Sequence, residues 1–91
     1  MQVCFEFSHR LRETLGVPAL TLDLPDGADL SSALSRLARE IALRCRGEFL
    51  HEGTLHPSFL IVMDGEVHPR DHHSTLRDGA TVQLLLPMAG G

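Results

Sequence analysis

The sequence predicts an α+β fold in which one amphipathic helix packs on one face of a small sheet. Two observations support this prediction. Short segments towards both ends of the chain alternate apolar and polar residues with the period of two that is typical of half-buried strands. One segment in the middle repeats its apolar residues every three or four positions, as an amphipathic helix does. A length of 91 residues suits one domain, so we expect residues 1–91 to form a single unit.

The strands are predicted from five segments. "VCFEF" at 3–7 and "LTLDLP" at 20–25 both alternate, and together they favour a hairpin whose long loop holds the charged stretch "SHRLRETLG". "FLIVM" at 59–63 is a continuous apolar run, which is typical of an interior strand, and the "DG" after it predicts a tight turn into "EVHP". "ATVQLLL" at 80–86 predicts the final strand, which Pro87 ends because proline has no N–H to donate.

The helix is predicted to begin after Asp29, whose carboxylate can accept hydrogen bonds from the free N–H groups of the first turn. Gly47 is the predicted stop, and residues 48–57 are predicted to be irregular. The apolar residues of this segment are spaced by four, three, four and four positions: Leu30, Leu34, Leu37, Ile41 and Cys45.

Composition and charge exclude several classes of function. The formal net charge of −4 argues against nucleic-acid binding, which needs a basic surface for the phosphates. No apolar run approaches the ~20 residues that a membrane-spanning helix needs. No basic segment followed by an apolar one begins the chain, so we expect a cytoplasmic protein with no membrane partner.

The motifs of catalysis and metal binding are not found. The sequence has neither the G-x-S-x-G nucleophile elbow nor a glycine-rich nucleotide loop, so we expect a protein that is not itself an enzyme. His68, His72 and His73 lie near Asp71, but they fall in a polar stretch without the spacing of a known metal site. We interpret them as solvated histidines and expect no bound metal. Cys4 and Cys45 match no redox or zinc motif and are expected to be reduced thiols.

The last residues of the given sequence, Gly90-Gly91, follow directly on an apolar strand. Glycine carries no side chain, so such a tip can enter a narrow channel of another protein and present its carboxylate there. All eight basic residues are arginine, and there is no lysine. The chain therefore offers few amines that an activated C-terminus would acylate.

These features resemble the MoaD/ThiS family of ubiquitin-like sulfur carriers along most of the chain. "VCFEFSHRLRETLG" is similar to the opening strand of the family and the stretch after it, and "LDLPDGADLSSALSRLA" to its second strand, turn and helix. "FLIVMDGEV" matches a family segment that commonly has Asn where Asp64 stands here. "LRDGATVQLLLPMAGG" resembles the family's C-terminal pattern and is the most specific of the four, although Ala80 replaces its usual acidic residue.

The resemblance implies a β-grasp fold: a mixed sheet of four or five strands on one main helix, with a flexible tail at 87–91. It implies that a separate ATP-dependent enzyme adenylates the carboxylate of Gly91, and that a persulfide donor converts it into a thiocarboxylate for a sulfur-accepting synthase subunit. The tail that enters the partner comprises Pro87, Met88, Ala89 and Gly90. No cofactor is bound by the carrier itself, and ATP is used by the activating partner.

The pathway and the docking residues stay open at this stage. The resemblance implies that the exposed sheet face contacts partners, and we expect Phe59 and Leu85 to dock there, with core positions for both as the alternative. The first candidate function is the small subunit of molybdopterin synthase. The alternatives are a carrier for cysteine, tRNA thiolation or a sulfur-containing secondary metabolite, and a ubiquitin-like modifier that is joined to target lysines.

Overall fold

The computed structural model describes residues 1–45, 47–69 and 75–86. Within these ranges the chain forms two helices and seven strands. In chain order they are β1 (Gln2–Phe7), α1 (His9–Leu15), β2 (Ala19–Asp23), α2 (Leu30–Ala42), β3 (Leu50–His51), β4 (Thr54–Leu55), β5 (Leu60–Met63), β6 (Glu66–His68) and β7 (Thr81–Leu85). Neither helix of the described ranges is long and apolar enough to cross a membrane.

Five of the strands form one mixed sheet in the order β2-β1-β7-β5-β6. β1 and β7 run parallel at its centre, and every other neighbouring pair is antiparallel. The first hairpin, β1 with β2, is confirmed, as is the final strand. β5 is confirmed as an interior strand, since it pairs with β7 on one side and β6 on the other. The predicted α+β class with a five-stranded mixed sheet is therefore confirmed.

α2 is the main helix, and it packs its apolar side against one face of the sheet. Its first turn is capped by Asp29, whose Oδ1 accepts hydrogen bonds from the Ser32 N–H at 2.8 Å and the Ser32 hydroxyl at 2.6 Å, as the sequence predicts. The core on this side of the sheet combines buried residues of α2 and of the strands. They include Leu30, Leu34, Leu37, Ile41, Val3, Phe5, Val82 and Leu84.

The end of α2 differs from the prediction. The helix stops at Ala42 with Leu43 as its C-cap, and the Leu43 side chain is 82% exposed. Gly47, the predicted stop, lies beyond the helix with a positive φ of 91°. The apolar spacing continued to Cys45, which is half-buried and packs against the core from outside the helix. The apolar residues thus keep their helical spacing beyond Ala42, where the helix ends.

Two further elements replace predicted loops. The charged stretch after β1 forms α1, which buries Leu11 and ends at Gly16 with a φ of 77°. The segment predicted to be irregular contains the two-stranded hairpin of β3 and β4. Its turn residue Glu52 has a φ of 54°, a left-handed conformation that its sequence does not signal.

Candidate functional site

One face of the sheet is open, because α2 covers only the other. Side chains alternate between the two faces along each strand, and the pairing registers fix which residues share a face. Val82 and Leu84 of β7 point to the core, so Thr81, Gln83 and Leu85 point to the open face. The register of β5 with β7 then places Leu60 and Val62 on the open face as well.

The open face carries an apolar cluster that reaches from the end of β7 across β5 to the edge strand β6. Leu60 lies opposite Leu85, and Val62 lies opposite Val67. Three of these side chains are exposed: Leu60 by 37%, Leu85 by 40% and Val67 by 62%. Val62 is half-buried between them. We call Leu60, Val62, Val67 and Leu85 the open-face patch; adjoining apolar side chains of this kind are typical of a surface that contacts a partner.

The half of the open face towards β2 is polar. Glu6 on β1 accepts a hydrogen bond from Gln83 Nε2 at 3.2 Å, and both side chains are exposed. Thr21 on β2 and Thr81 on β7 flank Cys4 on the same face. The half of the open face on the side of β6 therefore carries the apolar side chains that a partner would bury.

The patch is adjacent to the point where the chain leaves the sheet. Leu85 is both the last residue of β7 and a member of the patch, and Leu86 is the last described residue. The predicted tail, Pro87, Met88, Ala89, Gly90 and Gly91, lies outside the described residues.

The two residues expected to dock a partner differ in burial. Leu85 is exposed on the open face, where a docking residue must be. Phe59 is 3% exposed, and its ring packs against that of Phe49 with 5.9 Å between the centroids. The prediction for Phe59 is therefore corrected: a side chain enclosed in the core has no surface to offer a partner. Leu60, the next residue along the chain, lies on the open face opposite Leu85.

Sequence reasoning missed Leu60, Val62 and Val67 as site residues. The sequence did contain a signal for the pairing of Val62 with Val67, because a turn at Asp64 and Gly65 fixes the register of the strands on either side of it. Both residues have positive φ, 52° and 77°, and Val62 faces Val67 as a two-residue turn requires. The pairing of Leu60 with Leu85 joins distant parts of the chain and has no local signal.

A metal centre finds no support in the described residues, since residues 1–45, 47–69 and 75–86 contain no cluster of three metal-binding side chains. His68 is half-buried on β6, while Asp71, His72 and His73 lie outside the described residues. Cys4 and Cys45 are both free thiols, as predicted.

Comparison with known proteins gives solved structures of the same fold. No protein-family model and no curated protein matches the chain. SAMP1 from Haloferax volcanii matches with a TM-score of 0.76 and 23% identity, over 100% of both chains. The small archaeal modifier protein 1 (SAMP1) from Methanosarcina acetivorans matches with a TM-score of 0.67 and 26% identity, over 99% of this chain and 96% of that one.

A third similar structure is the putative molybdopterin converting factor, subunit 1, from Pyrococcus furiosus. It matches with a TM-score of 0.62 and 25% identity, over 97% of this chain and 99% of its own. The resemblance to ubiquitin-like carriers and modifiers that the sequence indicates is thereby confirmed, and so is the β-grasp fold. The likeness extends along nearly the whole chain in all three cases.

Proposed function

We propose that this chain is a ubiquitin-like sulfur carrier whose terminal Gly91 is adenylated by a separate enzyme and converted into a thiocarboxylate. One observation carries the proposal: β7 ends at Leu85, a member of the exposed apolar patch, and the segment that ends on Gly90-Gly91 follows β7 directly in the sequence. An enzyme that binds the patch through its apolar surface is then positioned to receive the tail. The likeness to the molybdopterin converting factor subunit supports the same proposal.

The proposed chemistry divides between the carrier and its partners. A carboxylate is ionised at neutral pH and is a poor electrophile, so it needs activation before sulfur can be added. In the proposed first step, the Gly91 carboxylate attacks ATP to form an acyl-adenylate and release pyrophosphate. The terminal sulfur of a persulfide donor then attacks the Gly91 carbonyl and AMP leaves, which gives an acyl disulfide. A second thiol of the donor cleaves the S–S bond of this intermediate, so that the thiocarboxylate is released and the donor is left as a disulfide. The carrier acts as a co-substrate and catalyses none of these steps, and we expect it to bind no cofactor.

The carrier contributes a surface that its partner binds and a C-terminal tail on which the partner acts. The open-face patch offers binding surface remote from the reacting carbonyl, and this surface can hold the carrier while the tail reacts. Gly90 and Gly91 add no side chains to the reacting end, so it fits a narrow channel. We expect the carrier to act in the cytoplasm, where ATP for the adenylation is available.

The proposal has several candidates for the system that accepts the sulfur. The first candidate is molybdopterin synthase, with this chain as its small subunit, because one similar structure is named as a molybdopterin converting factor subunit. Carriers for cysteine, tRNA thiolation or a sulfur-containing secondary metabolite would use the same patch and tail, so they are the alternatives.

A second candidate function is that of a protein modifier, in which Gly91 forms an isopeptide bond with a lysine of a target. It is favoured by the two similar structures that are named as SAMP1, which one of the names spells out as a small archaeal modifier. The absence of lysine means that this chain could not be extended through lysine linkages to itself.

The experiment that tests the proposal is carrier-dependent adenylation. The purified chain is incubated with ATP and the adenylating enzyme of its source organism, and ATP–pyrophosphate exchange is measured. We expect exchange with the full chain and none with a chain that lacks Gly91. A chain in which Thr21 is replaced by serine, on the polar half of the open face, is the matched control and should retain exchange. Equal exchange with and without Gly91 would overturn the proposal.

A further inference from the structure

β2 forms an open edge of the main sheet. Among residues 1–45, 47–69 and 75–86, only β1 pairs with it, and no strand lies along its outer side. The ladder with β1 is continuous over all five residues of β2, without a bulge. β2 contains neither proline nor lysine, which commonly block pairing at a sheet edge. Such an edge can accept a further strand.

The hydrogen bonds between β1 and β2 show which backbone groups of β2 point outwards. The N–H of Phe7 donates to the carbonyl oxygen of Pro18 at 3.0 Å, just before β2 begins. In an antiparallel ladder such bonded pairs alternate with non-bonded pairs, so every second residue after Pro18 also bonds to β1. The N–H and C=O groups of the residues between them point to the outer side of the edge: Ala19, Thr21 and Asp23.

A second copy of the chain can pair with this edge about a twofold axis at Thr21. The two Thr21 residues then lie opposite each other, and Ala19 of each copy lies opposite Asp23 of the other. Each of these three pairs can exchange two N–H···O bonds, because the backbone groups of all three residues point outwards. Like charges do not lie opposite each other, and threonine pairs are favourable on a sheet. The edge is therefore complementary to itself in this register.

The charges at the edge also suit a second copy. Arg12 of α1 is exposed, and together with Ala19 it lines a hollow of the open face. In the twofold register, the Cα atom of Asp23 of the second copy stands about 5.5 Å from that of Ala19. Asp23 is 84% exposed, and its contact with the Met1 ammonium is long, at 3.7 Å. Its carboxylate can therefore turn towards Arg12 of the other copy.

A second acidic side chain near the edge is turned away from it. Glu6 lies on β1 opposite Ala19, on the open face. Its Oε1 accepts a hydrogen bond from Gln83 Nε2 at 3.2 Å, and Gln83 belongs to β7, on the side of β1 remote from β2. The Glu6 carboxylate therefore points away from the place where Asp23 of a second copy would stand.

We propose that β2 is a dimer interface, in which the chain pairs with a second copy of itself through Ala19, Thr21 and Asp23. Residues opposite each other share a face, so the two sheets join into one sheet with both open faces on the same side. The open-face patch lies towards β6, the other edge of the sheet, and stays uncovered. The proposal goes beyond the proposed function, since it holds for a sulfur carrier and for a modifier alike.

The test is sedimentation equilibrium of the purified full chain. Three residue pairs make a small interface, so we expect a weak dimer with a Kd of about 0.1 mM. The measured mass should rise with concentration from the 10.0 kDa of one chain towards twice that value. A mass that stays at 10.0 kDa up to about 1 mM protein would overturn the proposal. No partner enzyme is needed, so a failure here is separate from a failure of the adenylation experiment.

Thr21→Pro tests the place of the contact. The N–H of Thr21 points outwards, so proline removes a hydrogen bond of the dimer and none of the bonds to β1. We expect the Kd to rise at least about tenfold, whereas the control Thr21→Val keeps the N–H and should dimerise like the wild type. Circular dichroism checks that both variants fold. Unchanged dimerisation of folded Thr21→Pro would place the contact elsewhere and refute the proposal.

Charge reversal tests the register and does not depend on the proline variant. Arg12→Glu and Asp23→Arg each bring like charges together at two symmetric places, and each should raise the Kd about tenfold. The double variant restores opposite charges and should return the Kd to within about threefold of the wild-type value. A double variant that dimerises no better than either single variant would refute the proposed pairing.

Discussion

Replacing Val67 by aspartate should weaken binding to the proposed adenylating partner by roughly two orders of magnitude. Val67 is 62% exposed on the edge strand β6 and faces Val62 in the open-face patch. Covering that exposed 62% contributes about 0.9 kcal/mol if full burial of valine is worth ~1.5 kcal/mol. An aspartate at this place also has to lose water without a partner, which costs about 2 kcal/mol. The sum, about 3 kcal/mol, corresponds to a factor of about 100 in affinity.

The matched control is Thr21→Asp, which adds the same charge to the same face. Thr21 lies on β2, the opposite edge of the sheet, in the polar half of the open face. Both positions are exposed, so we expect either variant to change the free energy of unfolding by about 0.5 kcal/mol or less. Thermal unfolding followed by circular dichroism checks this expectation before any binding is measured.

The assay is the dependence of ATP–pyrophosphate exchange on carrier concentration. Val67→Asp should raise the apparent KM for the carrier by about 100-fold, and Thr21→Asp by no more than about twofold. Equal changes in the two folded variants would refute the assignment of the apolar half of the open face as the docking surface. A KM for Val67→Asp within twofold of the wild-type value would refute it as well.

Three predictions concern stability and are measured as the free energy of unfolding in urea. Asp29→Ala removes the cap of α2 and should lower the free energy of unfolding by about 1 kcal/mol. Ser35→Ala, an exposed change in the middle of the same helix, should not lower this free energy. Gly65→Val forces a branched residue to a φ of 77° and should cost about 1–2 kcal/mol; an unchanged midpoint would contradict the left-handed turn. Phe59→Ala should cost about 3–5 kcal/mol and Leu85→Ala about 1 kcal/mol or less, and equal losses would contradict the core position of Phe59.

The local elements were predictable because their signals lie within a few residues of each other. The alternation of β1, β2 and β7 and the helical spacing of α2 identify elements that the structure confirms. The cap at Asp29 and the turn at Asp64-Gly65 are also local, and both occur as predicted. α1 was missed because its seven residues are too few to show a helical period, and only Leu11 is buried.

Leu85 was predicted as a docking residue and Leu60 was not, and the difference has a physical reason. The run at 59–63 is apolar at every position, so nothing in it states which residues face the core. A shift of one residue exchanges the two faces of a strand, and the prediction of Phe59 instead of Leu60 is such a shift. The face was decided by the pairing of Leu60 with Leu85, two residues that are far apart in sequence and adjacent only in the folded sheet.

The measurement that tests the central claim most directly is the mass of the C-terminal peptide of the protein, isolated from its native host. The lysate is treated with an alkylating agent at once, so that any thiocarboxylate is trapped on its sulfur. The sulfur-carrier account predicts a peptide in which one oxygen of the Gly91 carboxylate is replaced by alkylated sulfur. Gly91 recovered only as a free carboxylate, or joined to the lysine of another protein, would contradict it; the second result would favour the modifier.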